Sequence, residues 1–473
     1  MRYLYNMLRG VAMLGIAALV VGCNADERRM QILKVYNWGD YIDEELIPEF
    51  EAWYEEQTGE SVEVIYQTFD INEVMLAKIE NGHADFDVVC PSEYIIERMM
   101  RGGLLHPILT PEFKAEIAER NIDYFGAVSP YIREQFSLIE APEGVNPNDY
   151  AVGYMWGTTG ILYNKAYVTR EEAQSWALMF DKRLQDKIFV KDAFRDVYSP
   201  MLLYAKTLEA RANGTLGPEE MLSLDTIHEL MYDSSDASIA LVESYLKQMK
   251  ELVAGWEADF GKEMMTQEKA WINLMWSGDA VWAIDEAREV GVELGYEVPR
   301  EGSIVWFDGW VIPKYARNLR AARYFIDYMC MPENAIRNMD ATGYVSVVAT
   351  QEVYDALEDL CYADPEVCDL SYFFVDEEGN PLEGSEAVVA DPVLFPDRSI
   401  IERSGVMHDS GERTDKMLEM WSRVKGDNLS TGMLVGIILF FSVLLVWGVW
   451  RKVDSYRKKM KLRKRRHHFQ KRG

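Results

Sequence analysis

"ILKVYNWGDYID", Ile32 to Asp43, decides how this chain folds. Its first six residues read as a strand that runs straight into Trp38, Asp40 and Tyr41. A surface loop has no need of so much aromatic area, and a core does not tolerate a carboxylate such as Asp40 without a partner. Next comes "DEELIPEFEAWYEEQTG", with Leu46, Ile47, Phe50 and Tyr54 at helical spacing and Gly59 as the stop. "SVEVIYQTF" then reads as a strand, "INEVMLAKIENG" as a helix, "FDVVCPS" as a strand and "EYIIERMMRGG" as a helix ended by glycines. This β-α-β-α-β-α order predicts an α/β fold with a parallel sheet covered by helices on both faces. Ligands of such sheets sit at the carboxyl ends of strands. "YNWGDY" and "CPSEY" both fall there.

The pattern continues beyond residue 150 in "AVGYMWGTTGILYN", "KIFVKDAFRDVYSPMLLYAKTLEA", "AWINLMWSGDAVWAIDEA", "GSIVWFDGWVIPK" and "LRAARYFIDYMCMPENAIRNMDATGYVSVV". An aromatic ring stands repeatedly beside a carboxylate or hydroxyl: Trp38/Asp40/Tyr41, Ser92/Tyr94, Trp276/Asp279 and Trp306/Asp308. Asp192 and Asp196 form a further acidic pair, and Tyr344 adds a ring. Any one of these reads equally well as a core ring or a helix cap. Their recurrence at strand ends points to a cation. Ring faces attract ammonium groups and cover methylenes, and carboxylates balance the charge. That combination suits a flexible alkyl polyamine.

Charge and hydropathy support an exported receptor. The 473 residues carry a net charge of -29, but positions 451–473 hold twelve Lys and Arg against one acid, so the preceding body is near -40. An acidic body excludes nucleic acid as its partner and attracts cations. Residues 1–22 read as a signal peptide ending in "LVVGC", with Cys23 expected to carry lipid after cleavage; a plain secretory signal is the alternative. Residues 23–30 then form a lipid-anchored linker. The uncharged run 431–450, "TGMLVGIILFFSVLLVWGVW", has the length of a transmembrane helix, and the basic block 451–473 puts the C-terminus in the cytoplasm. Cys90 and Cys330 lie in apolar runs and are expected as buried thiols. Cys361 and Cys368 are close together in an exported segment, and a disulfide between them is one of the pairings open to the four remaining cysteines. Residues 362–390, acidic and rich in Gly and Pro, read as an inserted surface loop. No metal motif and no nucleophile arrangement is present, so neither a cofactor nor an enzymatic role is expected.

The sequence resembles the spermidine/putrescine-binding proteins of bacterial polyamine ABC importers over residues 31–425. The resemblance rests on "VYNWGDYI", "FDINEVMLAKI", "FDVVCPSEY", "YMWGTTGILYN", "KDAFRDVY", "MWSGDAVWAI", "VWFDGWVIPK" and "GYVSVV", in that order. It implies a two-lobed periplasmic-binding-protein fold (type II) that closes on its ligand by a hinge. The first lobe would take residues 31–149 and 307–352, and the second 150–306 and 353–425. The ligand contacts implied are Trp38, Asp40, Tyr41, Ser92, Tyr94, Asp196, Trp276, Asp279, Trp306, Asp308 and Tyr344, with Asp192 a weaker match. The implied function is a receptor on the periplasmic face of the inner membrane that delivers putrescine or spermidine to an ABC permease. A polyamine sensor signalling through the membrane helix, or a receptor for another organic cation, is the alternative. Gly39 departs from the family's hydroxyl residue, and Arg195 stands beside Asp196 where it could neutralise it.

Overall fold

The computed structural model describes residues 28–258, 260–376, 378–426, 440–442, 447 and 450–452. Residues up to Met417 form one compact unit, and a second begins at Leu418. The signal and lipid-site segment 1–23 lies outside the described residues, as does most of 431–450. Among the described residues no helix is long and apolar enough to cross a membrane.

The first unit is organised by one sheet. β1 (Ile32–Trp38) is parallel to β2 (Glu63–Phe69) on one side and to β3 (Val88–Val89) on the other. The helix Leu46–Thr58 connects β1 to β2, and Gly59 ends it in the left-handed conformation, φ 73°. The helix Asn72–Glu80 leads to β3, and Glu93–Arg101 follows it. This is the parallel αβ order expected from Ile32 onward. β4 (Leu105–His106) is a short edge piece.

Two long strands join this half to the next. β5 (Ala151–Asn164) and β6 (Ile188–Lys191) are followed by β7 (Val253–Glu257), β8 (Ile272–Trp276), β9 (Leu294–Glu297) and β10 (Ser303–Pro313). Every residue of β5 and β10 is buried, which explains their unbroken apolar and glycine-rich sequences. They pair antiparallel from Val305↔Thr158 to Val311↔Ala151. Beyond that contact β5 pairs with β8 and β9, while β10 meets β3 through Val311↔Val89. β8 is parallel to β6, and β6 to β7. The two strands are therefore shared by two α/β halves, the two-lobed architecture that the resemblance implied.

The register of β10 against β5 shifts between Asp308 and Gly309. A bulge of this kind re-aims the neighbouring side chain. Gly309 is needed there, because a Cβ would stand 2.7 Å from the Phe136 ring.

Two expectations are corrected. Segment 362–390 is not a bare loop: β12 (Glu366–Cys368) and β13 (Val388–Ala390) form a two-stranded sheet, the short β11 (Val345–Ser346) having paired with β5 before it. Leu370, Phe373 and Phe374 are buried; Phe373 packs 5.3 Å from Trp156 and its carbonyl accepts Ser129 Oγ at 2.8 Å. In the second half Arg170 holds Glu366 and Lys165 holds Asp364, while Ser129 is in the first, so the segment touches both halves. Cys361 and Cys368 are not joined. Both thiols are free, and each turns to a local carbonyl, Ala363 O at 3.6 Å and Glu366 O at 3.8 Å. Cys90 and Cys330 are buried free thiols, as their apolar runs predicted. Trp156, Trp176 and Trp310 are wholly buried core residues.

Candidate functional site

The site is assembled where β1, β3, β6 and β8 end and the next helices begin. From the first half come Tyr41, Ser92 and Tyr94. Tyr41 lies four residues beyond Asn37, whose Nδ2 donates to its carbonyl at 3.3 Å; Tyr154 OH donates to the same carbonyl at 2.8 Å. These bonds point the Tyr41 phenol inward, where its OH donates to Asp308 Oδ2 at 2.9 Å. Asp308 sits on the bulge of β10. Ser92 and Tyr94 open the helix Glu93–Arg101, and Asn72 Nδ2 donates to both hydroxyls at 3.0 Å. Trp306, two residues before Asp308, packs edge-on against Tyr344 with centroids 5.6 Å apart, and Tyr344 meets Tyr41 at 4.9 Å.

Tyr344 carries the network into the second half. Its OH donates to Asp279 Oδ1 at 2.8 Å. Asp279 is in the first turn of the helix Ser277–Glu289, which follows β8. Trp276 ends β8, and its indole N–H donates to Asp196 Oδ1 at 2.9 Å. Asp196 is in the first turn of the helix Phe194–Ala212 after β6. Both carboxylates thus stand at helix N-termini, where the backbone dipole favours negative charge. Nine of the eleven expected contacts, Tyr41, Ser92, Tyr94, Asp196, Trp276, Asp279, Trp306, Asp308 and Tyr344, fall in or beside one network. All but Trp276 are buried, so the two halves are closed over them.

The other two lie apart from it. Asp40 has a left-handed backbone, φ 50°, and its side chain is 83 % exposed, 3.9 Å from Lys262. The turn that directs Tyr41 inward directs Asp40 outward. Trp38 is half-buried against Phe69, centroids 4.5 Å apart. Asp192 is half-buried, and its backbone N–H donates to Glu257 O. Arg195 turns away from Asp196. It lies over the Tyr94 ring at 4.4 Å and donates to His408 O, Ser410 Oγ and Thr414 Oγ1.

Sequence reading missed Lys191 and Glu257. Lys191, the last residue of β6, places Nζ 2.5 Å from Asp279 and 3.3 Å from Glu257, over the Trp276 ring at 4.3 Å. Glu257 ends β7 directly after Trp256, so it repeats the ring-then-acid signal of the other strand ends. Lys191 had a signal of its own, a lysine closing the apolar run "IFV" before Asp192.

The carboxylates are not equivalent. Burial pushes the Asp308 carboxyl from an ordinary 3.8 up to about 7, and the Ser92 hydroxyl and the hydrogen bond from Tyr41 only partly oppose it. Burial likewise raises Asp196 to about 6 against the pull of the Trp276 N–H. Glu93, buried beside them, is raised well above the usual range by burial. Asp279 is equally buried, yet Lys191 holds it below the ordinary value. Asp308 Oδ1, Glu93 Oε1 and the Trp306 indole N–H are buried without a hydrogen-bond partner. An unsatisfied buried polar group costs about 1–3 kcal/mol, so these atoms favour a ligand that would engage them.

Comparisons with known proteins agree with this fold. The chain is 28% identical over 355 residues to the putrescine-binding periplasmic protein of Escherichia coli (strain K12), covering 72% of this chain and 83% of the relative. It is 26% identical over 334 residues to the spermidine/putrescine-binding periplasmic protein of Salmonella typhimurium, covering 70% and 82%. A solved structure described as a putative spermidine/putrescine ABC transporter from Listeria monocytogenes superposes with a TM-score of 0.60 at 27% identity, over 84% of this chain and 99% of that one. A profile of bacterial extracellular solute-binding proteins matches residues 49–366, two thirds of the chain. Two α/β halves joined by shared strands and packed over a buried polar network fit such a protein, and this chain belongs to the bacterial extracellular solute-binding protein family.

Proposed function

We propose that this chain is an extracytoplasmic polyamine receptor that hands its ligand to an ABC importer. The observation that carries the reading is Asp308, a buried carboxylate with one oxygen held by Tyr41 and the other unpartnered, ringed by Tyr41, Trp306 and Tyr344. A protonated amine would supply the missing donor and the charge, and the rings would cover its methylenes. Relatives named for putrescine and spermidine binding support the same ligand class. We assign ligand contact to the nine networked residues and an outer, charge-steering role to Asp40. The lobes are taken as 31–149 with 307–352 and 150–306 with 353–425. Residues 1–22 are read as an export signal, Cys23 as the lipidated terminus, 431–450 as a membrane helix and 451–473 as a cytoplasmic tail, supported by the charge-free run and the basic block beside it.

Calorimetric titration of the full chain in detergent with putrescine, spermidine and spermine, with glutamate as control, tests this. Heat with at least one amine and none with glutamate is expected; no heat with any amine refutes the reading.

The raised carboxyls predict a pH dependence. In the empty site Asp308 holds a proton below about pH 7, and an incoming ammonium must displace it. The dissociation constant should therefore weaken by about tenfold per pH unit between 7 and 6, and more steeply once Asp196 also protonates below about 6. Stability of the empty closed form runs the other way. A carboxyl raised on folding disfavours the folded state when ionised, so that form gains stability as pH falls from 7 towards 4. Affinity that is flat from pH 8 to 5.5 would exclude Asp308 as the ammonium partner.

A further inference from the structure

We propose that Lys191 is an ammonium group supplied by the chain itself to Asp279, so that the receptor selects a diamine over a longer triamine. This deepens, and rests on, the polyamine reading above.

Lys191 is wholly buried. Its Nζ has three oxygen neighbours: Asp279 Oδ2 at 2.5 Å, Ala258 O at 3.1 Å and Glu257 Oε1 at 3.3 Å. An ammonium group has three N–H bonds and accepts none, so three oxygens saturate it. The Trp276 face 4.3 Å away adds the attraction of the ring quadrupole. Two carboxylates, a carbonyl and a ring face make up a complete receptor for a primary ammonium ion, and here it is filled from within. Glu257 is independently anchored, accepting from Gly261 N and Asn273 Nδ2, so the arrangement does not collapse around the lysine alone.

This receptor is continuous with the rest of the site. The second oxygen of Asp279 takes the Tyr344 hydroxyl, and Tyr344 packs on Tyr41 and Trp306 beside Asp308. The Trp276 ring that covers Lys191 donates its N–H to Asp196. Asp308, Asp196 and Asp279 are therefore linked in one network, and among the described residues only Asp279 of the three is bonded to a lysine or arginine. The pKa directions agree: Asp308 and Asp196 are raised by burial, while Lys191 overcomes the same burial effect at Asp279. A diamine has a carboxylate for each end, at Asp308 and Asp196. A third ammonium that reached for Asp279 would meet Lys191 Nζ, a like charge held by β6.

Titration of the full chain in detergent with putrescine and with spermidine tests the assignment. The wild type is expected to bind putrescine at least about tenfold more tightly than spermidine. Lys191→Met should erase or reverse that order, strengthening spermidine relative to putrescine by about tenfold or more. Equal affinities in the wild type, or an unchanged ratio in Lys191→Met, overturn the assignment. If Lys191→Met unfolds because Asp279 and Glu257 lose their cation, the melting curve serves instead: spermidine should restore folding at concentrations where putrescine does not, and equal rescue overturns the assignment. Binding of neither amine to the wild type overturns the polyamine reading itself, a result distinct from polyamine binding without this selectivity.

Discussion

An Asp308→Asn protein is expected to lose ligand affinity while its empty form becomes more stable. The carboxylate is the charge that an ammonium would find beside Tyr41, and breaking a buried ion pair by removing one partner costs about 3–5 kcal/mol, a hundredfold or more in affinity. Asparagine has nearly the same shape and can still accept the hydrogen bond from Tyr41 OH, so the site keeps its form. Without ligand the sign reverses. Burial holds the Asp308 carboxyl at about 7, so at pH 8 the folded protein keeps an ionised group that burial disfavours. The neutral amide removes that cost, and the melting temperature of the empty protein at pH 8 should rise by about 2–4 °C for each kcal/mol recovered. Calorimetric titration and a thermal melt on the same sample check both halves. A variant that loses binding and stability together would make Asp308 a structural residue; one that loses neither would remove it from the site.

Gly278→Ala is the second large effect. Gly278 lies in the first turn of the helix Ser277–Glu289 with an ordinary helical backbone, where alanine normally stabilises by about 0.5–1 kcal/mol. Here a Cβ would fall inside the Tyr344 ring. The ring has little freedom to yield, because its hydroxyl is tied to Asp279 and its faces meet Tyr41 and Trp306. Gly343, at φ 74°, sets the chain just before it, and its own Cβ would stand 2.9 Å from Gly278 O. Overpacking of this kind costs about 1–3 kcal/mol. Since Tyr344 links the two sets of site residues, that cost should be drawn from closure and appear as about a tenfold to hundredfold loss of affinity. A protein that is more stable and binds normally would mean that Tyr344 does not pack on Gly278 in the ligand-bound form.

Much of this was legible in the sequence. The strand and helix order after Ile32 was readable because period-2 and period-3.6 patterns are local, and glycines such as Gly59 mark their ends. Asp196, Asp279, Asp308 and their rings could be found because strand ends of an α/β sheet converge on one edge, so a repeated ring-and-acid signal becomes one site. Direction was not legible. Asp40 and Tyr41 are adjacent, yet a left-handed turn sends one to solvent and the other to Asp308. Pairing over long separations was equally hidden: Lys191 meets Asp279 across 88 positions, and only the sheet order brings them together. Segment 362–390 looked like a loop because its few buried residues, Leu370, Phe373 and Phe374, follow no period, and their core is supplied by Trp156 from another part of the chain. By itself, then, the sequence determined the elements, their order and the chemistry gathered at one edge, all carried by local pattern. Only the tertiary structure decided which side chains turn into the buried network and which charges the protein has already neutralised for itself, because both depend on contacts between residues far apart in the chain.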